Sequence, residues 1–164
     1  MVKRGDGPAI PRPGEGKRGE AGHFGYLLRQ ASGAYRLRVE RALADLEVTP
    51  AQFTIMTMVA AYPGLSGADL ARLTLLTPQT VSVIVANLER AGSVARRPHP
   101  VHGRILTLEI TDGGRALLAR CRERVRVLER QLAAGLSPEE EAVIRRWLSA
   151  VAAEGGEAAD GEPG

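Results

Sequence analysis

The sequence predicts a mainly α-helical fold carrying one small β-hairpin, and three observations predict it. Apolar residues recur every three or four positions along most of residues 23–152, the period of helices that bury one face. Ser or Thr, often followed by Pro or an acidic residue, stands at the head of several of these stretches, as at helix N-termini. Only around residues 94–110 does the pattern turn to that of short strands, on either side of a Pro- and His-bearing turn.

The elements follow in order. Over 23–46, Phe24, Leu28, Ala31, Tyr35, Val39, Ala42 and Leu46 make one stripe of a long amphipathic helix, with Arg29, Arg36 and Arg41 elsewhere around it. Thr49 caps a second helix with Pro50 in its first turn, and Pro63-Gly64 ends it. A short third helix runs from Ser66 to Leu73, with Asp69 three residues after the capping serine. Thr77 caps a fourth, which continues to Glu89–Ala91 before Gly92. Val94–Arg97 and Arg104–Ile110 read as two strands, with PHPVHG as the hairpin tip. Thr111 caps a fifth helix along the stripe Leu117, Cys121, Val125, Leu128 and Leu132. A sixth opens at Ser137-Pro138, where Glu139–Glu141 complement the helix dipole, and its apolar face is Val143, Ile144, Trp147, Leu148 and Val151.

The chain has 164 residues and a formal net charge of +3, which hides a division. Residues 1–22 are rich in Gly and Pro and have no helical period, so disorder is expected there. Residues 153–164 form an acidic tail, also expected to be disordered, whose −4 masks a +7 on everything before it. No apolar run reaches the length of a membrane span, and no secretory signal follows the charged start. One cysteine makes neither an internal disulfide nor a thiolate zinc site, so a reducing cytoplasm is the expected setting.

Two short helices across a tight turn, followed by a two-stranded wing, are the layout of a winged helix-turn-helix over 49–110. At 100° per residue, Val81, Ile84, Val85 and Leu88 fall on one side of the fourth helix. Gln79, Val83, Ala86 and Arg90 fall opposite, with Ser82 and Asn87 at the margins. That face suits a major groove: amides and hydroxyls bond base edges, and an exposed Val meets thymine methyls. Ser66, Thr77 and Thr80, at helix N-termini, are candidate phosphate contacts. Arg96, Arg97, His99, His102 and Arg104 lie within nine residues, uninterrupted by any carboxylate, as a wing that grips a phosphate backbone would.

The stretch LSGADLARLTLLTPQTVSVIVANLERAGSV, followed by RRPHPVHGRILTLEIT, resembles the multiple-antibiotic-resistance-regulator (MarR) family of winged-helix transcription regulators. The family's wing pattern of Asp-x-Arg, three residues, then Leu-x-Leu-Thr reads here His102-Gly103-Arg104, ILT, Leu108-Glu109-Ile110-Thr111. The resemblance extends over about residues 23–152 and implies a homodimer in which 23–46 and 111–152 supply the dimerisation helices. It places the fourth helix in a major groove and Arg104 at the minor groove or neighbouring phosphates. It further implies a pseudo-palindromic operator with half-sites about 10 bp apart. A small aromatic or amphipathic effector would bind between the dimer helices and the winged domain, where Tyr26, Tyr35, Phe53 and Met56 are candidate lining residues.

The departures shape the rest of the expectation. His102 and His99 stand where the family favours Asp, which removes a partner for Arg104, and Val83 replaces a mid-helix Arg. Base preference then falls to Gln79, Ser82 and Asn87. Two imidazoles on a hairpin fall short of the four ligands of structural zinc, so no metal or cofactor is expected; proton-linked DNA binding by these histidines stays open. Cys121 is either a buried small hydrophobe or a redox sensor beside Arg120, Arg122 and Arg124. No triad, paired carboxylates, phosphate loop or zinc-protease motif points to an enzyme. The reading is a ligand-responsive repressor on double-stranded DNA, with an architectural DNA-binding protein as the alternative.

Overall fold

The computed structural model describes residues 10–98 and 106–160. It contains helices α1 (Phe24–Leu43), α2 (Pro50–Ala61), α3 (Gly67–Thr74) and α4 (Pro78–Arg90), strands β1 (Val94–Pro98) and β2 (Leu106–Ile110), then α5 (Asp112–Ala133) and α6 (Pro138–Asp160). Residues up to Arg38 and residues from Val39 form two compact units.

In the first unit, residues 10–22 hold local order where composition led to an expectation of disorder. The Arg12 amide donates to Glu15 Oε2 at 3.0 Å, and Arg18 Nη1 donates to the Pro11 carbonyl at 2.8 Å, closing a short 3-10 turn at Gly16–Arg18. All these bonds span seven residues or fewer, so a charged, Gly-rich stretch organises itself without a core. The Arg29 guanidinium lies 5.8 Å from the Tyr26 ring centroid on α1.

In the second unit the helix starts are capped by the residues the sequence indicates, and the turn after α3 carries no glycine. Thr49 and Ser66 form full capping boxes with Gln52 and Asp69, and Thr77 and Thr111 accept from the third helical amide. The turn from α3 to α4 is a Schellman motif: Leu76 N bonds Ala71 O at 3.2 Å and Leu75 N bonds Arg72 O at 3.4 Å. The same motif ends α4, where Gly92 N meets Glu89 O and Ser93 N meets Leu88 O, each at 2.9 Å. Gly92 takes the left-handed conformation at φ +70 without steric cost, whereas Leu75 takes it at φ +53 with a Cβ in the way.

The core of this unit lies between α2, α3, α4, β2 and α5. Ile55, Met56, Leu70, Val81, Val85 and Cys121 are its fully buried side chains, joined by Leu43 from the end of α1. The hairpin pairs antiparallel with Val94 opposite Ile110 and Pro98 opposite Leu106. Two further bonds anchor it. Leu108 N donates to Leu65 O at 2.9 Å, and Thr111 Oγ1 donates to Gly92 O at 2.6 Å.

Several expectations shift. β2 is described from Leu106, and Arg104 and Ile105, where the strand is expected to begin, lie outside the described residues. On α5 the buried set is Gly114, Leu118, Cys121 and Val125, while Leu132 is 50 % exposed. Cys121 and Val125 of the expected stripe are buried and Leu117 and Leu128 half-buried, so the stripe holds through its middle and is joined by Gly114 and Leu118. The sixth-helix face of Val143, Ile144, Trp147, Leu148 and Val151 is exposed throughout. α6 runs to Asp160, past the boundary at 152.

Candidate nucleic-acid interface

α4 is held rigidly from one side and open on the other. Val81, Val85 and Leu88 are 1–2 % exposed, fixing the helix in the core, and Ile84 is half-buried. Gln79, Ser82, Val83 and Asn87 project outward, Val83 with 57 % of its surface exposed although it is apolar. Burial follows the sides expected at 100° per residue except at Ala86, which is half-buried where the outer face is expected.

The polar groups around this face have defined states. Thr77 Oγ1 accepts from Thr80 N at 3.2 Å, and the two hydroxyls lie 2.7 Å apart, so one of them donates to the other. Ser66 is more committed. Its hydroxyl donates to Asp69 Oδ2 at 2.6 Å and accepts from Asp69 N, while its own amide also donates to Asp69 Oδ2. This leaves Ser66 as a helix cap with its hydroxyl hydrogen already used. The Asp69 carboxyl is held below its ordinary range by the Ser66 hydroxyl, then by the Ser66 amide, with Arg72 adding to both. Arg90 Nη1 donates to Asn87 Oδ1 at 2.9 Å. A guanidinium only donates, so this bond orients the amide and leaves the Asn87 NH2 group as the outward-facing part.

The expectation of a one-sign wing is corrected by tertiary contacts. Arg96 Nε donates to Glu89 Oε2 on α4 at 2.9 Å, and Arg97 Nε stands 3.5 Å from Glu109 on β2. Both acids lie outside the carboxylate-free run 96–104: Glu89 precedes the hairpin by a turn and Glu109 follows its tip. The Arg97 pair is long and more than half exposed at both partners, which leaves it worth about 0–1 kcal/mol and easily exchanged for a phosphate. His99, His102 and Arg104 lie outside the described residues.

A cleft of about 230 Å³ opens between α3, α4 and the hairpin. Ala68, Val81, Val85 and Leu106 give it apolar walls, and Ser82 and Arg96 are its polar groups. Of the residues expected to meet an effector, Tyr26 and Tyr35 are half-buried in the first unit, and Phe53 is half-buried on α2 in the second. Met56 has no exposed surface and fills core.

Cys121 is likewise fully buried, and that burial pushes its thiol above the ordinary value against the opposing pull of Arg120. A neutral, enclosed thiol lacks both the thiolate and the access a redox sensor needs, which corrects that alternative. Among the described residues no group of three or more His, Cys, Asp and Glu converges, and no helix is long and apolar enough to cross a membrane.

Comparison with known proteins gives concordant relatives. The family model described as MarR family matches residues 46–105. The HTH-type transcriptional repressor Rv2887 of Mycobacterium tuberculosis is 36 % identical over 125 residues, which cover 76 % of this chain and 90 % of the relative. The crystal structure of that MarR family protein in complex with DNA aligns at TM-score 0.63 and 34 % identity, over 79 % of this chain and 97 % of the other. Its complex with p-aminosalicylic acid aligns at TM-score 0.64 and 33 % identity, over 79 % and 98 % of the two chains.

Proposed function

The chain belongs to the MarR family, and from that membership we propose that it is a transcriptional repressor that binds double-stranded DNA as a homodimer and releases it to a small aromatic carboxylate. One observation carries the DNA-binding part. α4 is locked into the core through Val81, Val85 and Leu88 while it turns Gln79, Ser82, Val83 and Asn87 outward on a rigid helix. Groove reading requires that combination, because a side chain that must first be ordered loses discrimination to entropy. The DNA complex of the mycobacterial relative supports it.

In this reading Gln79, Ser82 and Asn87 meet base edges, with Asn87 offering donors, and Val83 meets a thymine methyl. Thr77, Thr80, Arg90 and Arg97, together with His99, His102 and Arg104, line the phosphate track. Dimerisation is supported by α6, whose Val143, Ile144, Trp147 and Leu148 are 41–54 % exposed in the single chain. A contiguous apolar helix face of that kind marks an interface. The ligand-responsive part is supported by the relative's p-aminosalicylic acid complex. The cleft between α3, α4 and the hairpin offers such a molecule apolar walls and the Ser82 hydroxyl. Release follows only if the ligand prefers a geometry that DNA does not.

The test is selection of duplexes from a random-sequence library by the full-length protein, followed by footprinting of the winner. A protected region with two-fold related halves about one helical turn apart is the expected result. Binding that ignores sequence, with a specificity ratio near one, would instead establish an architectural role.

A further inference from the structure

The wing is fastened to the recognition helix by a side-chain bridge that connectivity does not require. Glu89 sits in the last turn of α4 and Arg96 in the middle of β1, and their 2.9 Å bond joins the two elements. Both partners are partly shielded, with 39 % of the Arg96 side chain and 30 % of Glu89 exposed. The strand register explains why Arg96 turns this way. It lies opposite Leu108, which is 2 % exposed, on the hairpin face that carries buried Val94 and Ile110. Its stem runs along the cleft with Ala68, Val81, Val85 and Leu106, while its head meets a carboxylate. Arg97 is on the opposite face, 64 % exposed beside a partner at 3.5 Å.

The position of this bridge matters as much as its strength. At the same rung the other strand is anchored separately, through Leu108 N to Leu65 O in the loop between α2 and α3. One strand is thus held by α4 and the other by that loop, and two anchors across one rung fix the tilt of the hairpin. Without the bridge the base of the hairpin stays tied by Thr111 Oγ1 to Gly92 O, but at this rung β1 is held only through β2, and a two-stranded hairpin has little stiffness of its own.

We propose that Glu89 is a positioning residue for DNA binding: it holds Arg96 as a strut that sets the wing against α4, and Arg96 aligns the wing rather than gripping a phosphate. This rests on the DNA-binding reading above and deepens it by separating the basic residues that bind from the one that aligns. The opposite assignment makes opposite predictions. A phosphate-binding Arg96 releases a counterion, and Glu89 then competes with DNA for it.

The experiment measures affinity of the full-length protein for its selected duplex across a salt series from about 50 to 300 mM. Glu89→Gln and Arg96→Gln are each expected to weaken binding by about tenfold with the slope of log Kd against log salt unchanged. Glu89→Arg combined with Arg96→Glu is expected to regain most of the loss, because the swap restores the bridge. In contrast, Arg97→Gln should flatten the slope by about 0.9, one phosphate contact. A flattened slope in Arg96→Gln, or tighter binding by Glu89→Gln, overturns the strut. Amide exchange in the free protein provides a reading independent of DNA. The Leu108 amide, bonded to Leu65 O, should exchange several-fold faster in Glu89→Gln, and unchanged exchange also overturns the strut. A wild-type chain that selects no duplex refutes the DNA-binding reading alone, and the exchange data then decide the strut by themselves.

Discussion

Replacing Gly114 with Ala probes the joint between α5 and the wing. In an open helical turn the change stabilises by about 0.5–1 kcal/mol, because Gly loses more backbone freedom on folding. Here a Cβ on Gly114 overlaps the Ser93 carbonyl oxygen, and it would stand 2.8 Å from the Ser93 carbonyl carbon and 2.9 Å from Ile110 Cγ1. Carbon atoms pack comfortably at about 3.5–4.0 Å, so α5 and the Ser93 backbone must separate by roughly 1 Å. Neither yields easily. Ser93 O accepts from Thr111 N at 3.1 Å, Thr111 Oγ1 donates to Gly92 O at 2.6 Å, and Gly114 N donates back to Thr111 Oγ1 at 2.9 Å. Overpacking of this kind costs about 1–3 kcal/mol, and a stretched hydrogen bond adds about 1 more. After the helix gain is subtracted, Gly114→Ala should lose about 2 kcal/mol, a fall of roughly 6 °C in Tm for a chain of this size. Thermal melting by circular dichroism measures it, with Gly113→Ala as the control. A Cβ at Gly113 meets only Gly92 O and Thr111 Oγ1, each at 3.8 Å, so that variant should melt at or above wild type. If Gly114→Ala melts as high as Gly113→Ala, the close approach of α5 to Ser93 is not a real constraint and the reasoning fails.

The α3 cap should be acid-sensitive. Asp69 is held below its ordinary pKa by Ser66 and Arg72, so the unfolded chain binds the proton more readily than the folded one. Its stabilisation is complete above about pH 4 and is lost as pH falls through the lower folded value. The Tm difference between wild type and Asp69→Asn should shrink over that window; a difference that does not change with pH would show that the bridge to Ser66 contributes nothing. For recognition, Gln79→Ala should cost about 1–3 kcal/mol at the selected site and relax preference at one base position, measured by binding to single-base variants of the duplex. Equal losses at every sequence would make Gln79 a backbone contact. Finally, Cys121 should react with a thiol reagent only at the rate of local opening, and Cys121→Ala should leave DNA release by peroxide as it is in wild type. Rapid labelling of the native protein at pH 8 would contradict its enclosure.

Some features are local and were readable as such. A threonine or serine three residues before an amide it can cap is a matter of neighbouring atoms, and Thr49, Ser66, Thr77 and Thr111 all cap as their spacing indicates. The two sides of α4 follow from 100° per residue once the helix is granted. The Schellman turn at Gly92 also carries a signal, since Gly takes positive φ freely. Its twin at Leu75 carries none, because the sequence gives no reason to expect a β-carbon there in a left-handed conformation.

The wing shows where reading along the chain stops. By itself the sequence determined the six α-helices and the hairpin of the described residues, the outward side of α4 with Gln79, Ser82, Val83 and Asn87, and the cluster of basic residues after it. These are properties of short segments, set by periodicity, caps and the hand of the helix. How firmly Arg96 and Arg97 are engaged depended on Glu89 and Glu109, carboxylates outside the run 96–104. The close approach of α5 to the Ser93 backbone at Gly114 likewise depended on tertiary packing, and the state of Cys121 on what closes over it. The physical reason is the same each time. An ion pair, a close backbone approach or the burial of a thiol depends on distance in space. That distance is fixed only when the hairpin register and the helix packing bring remote segments together.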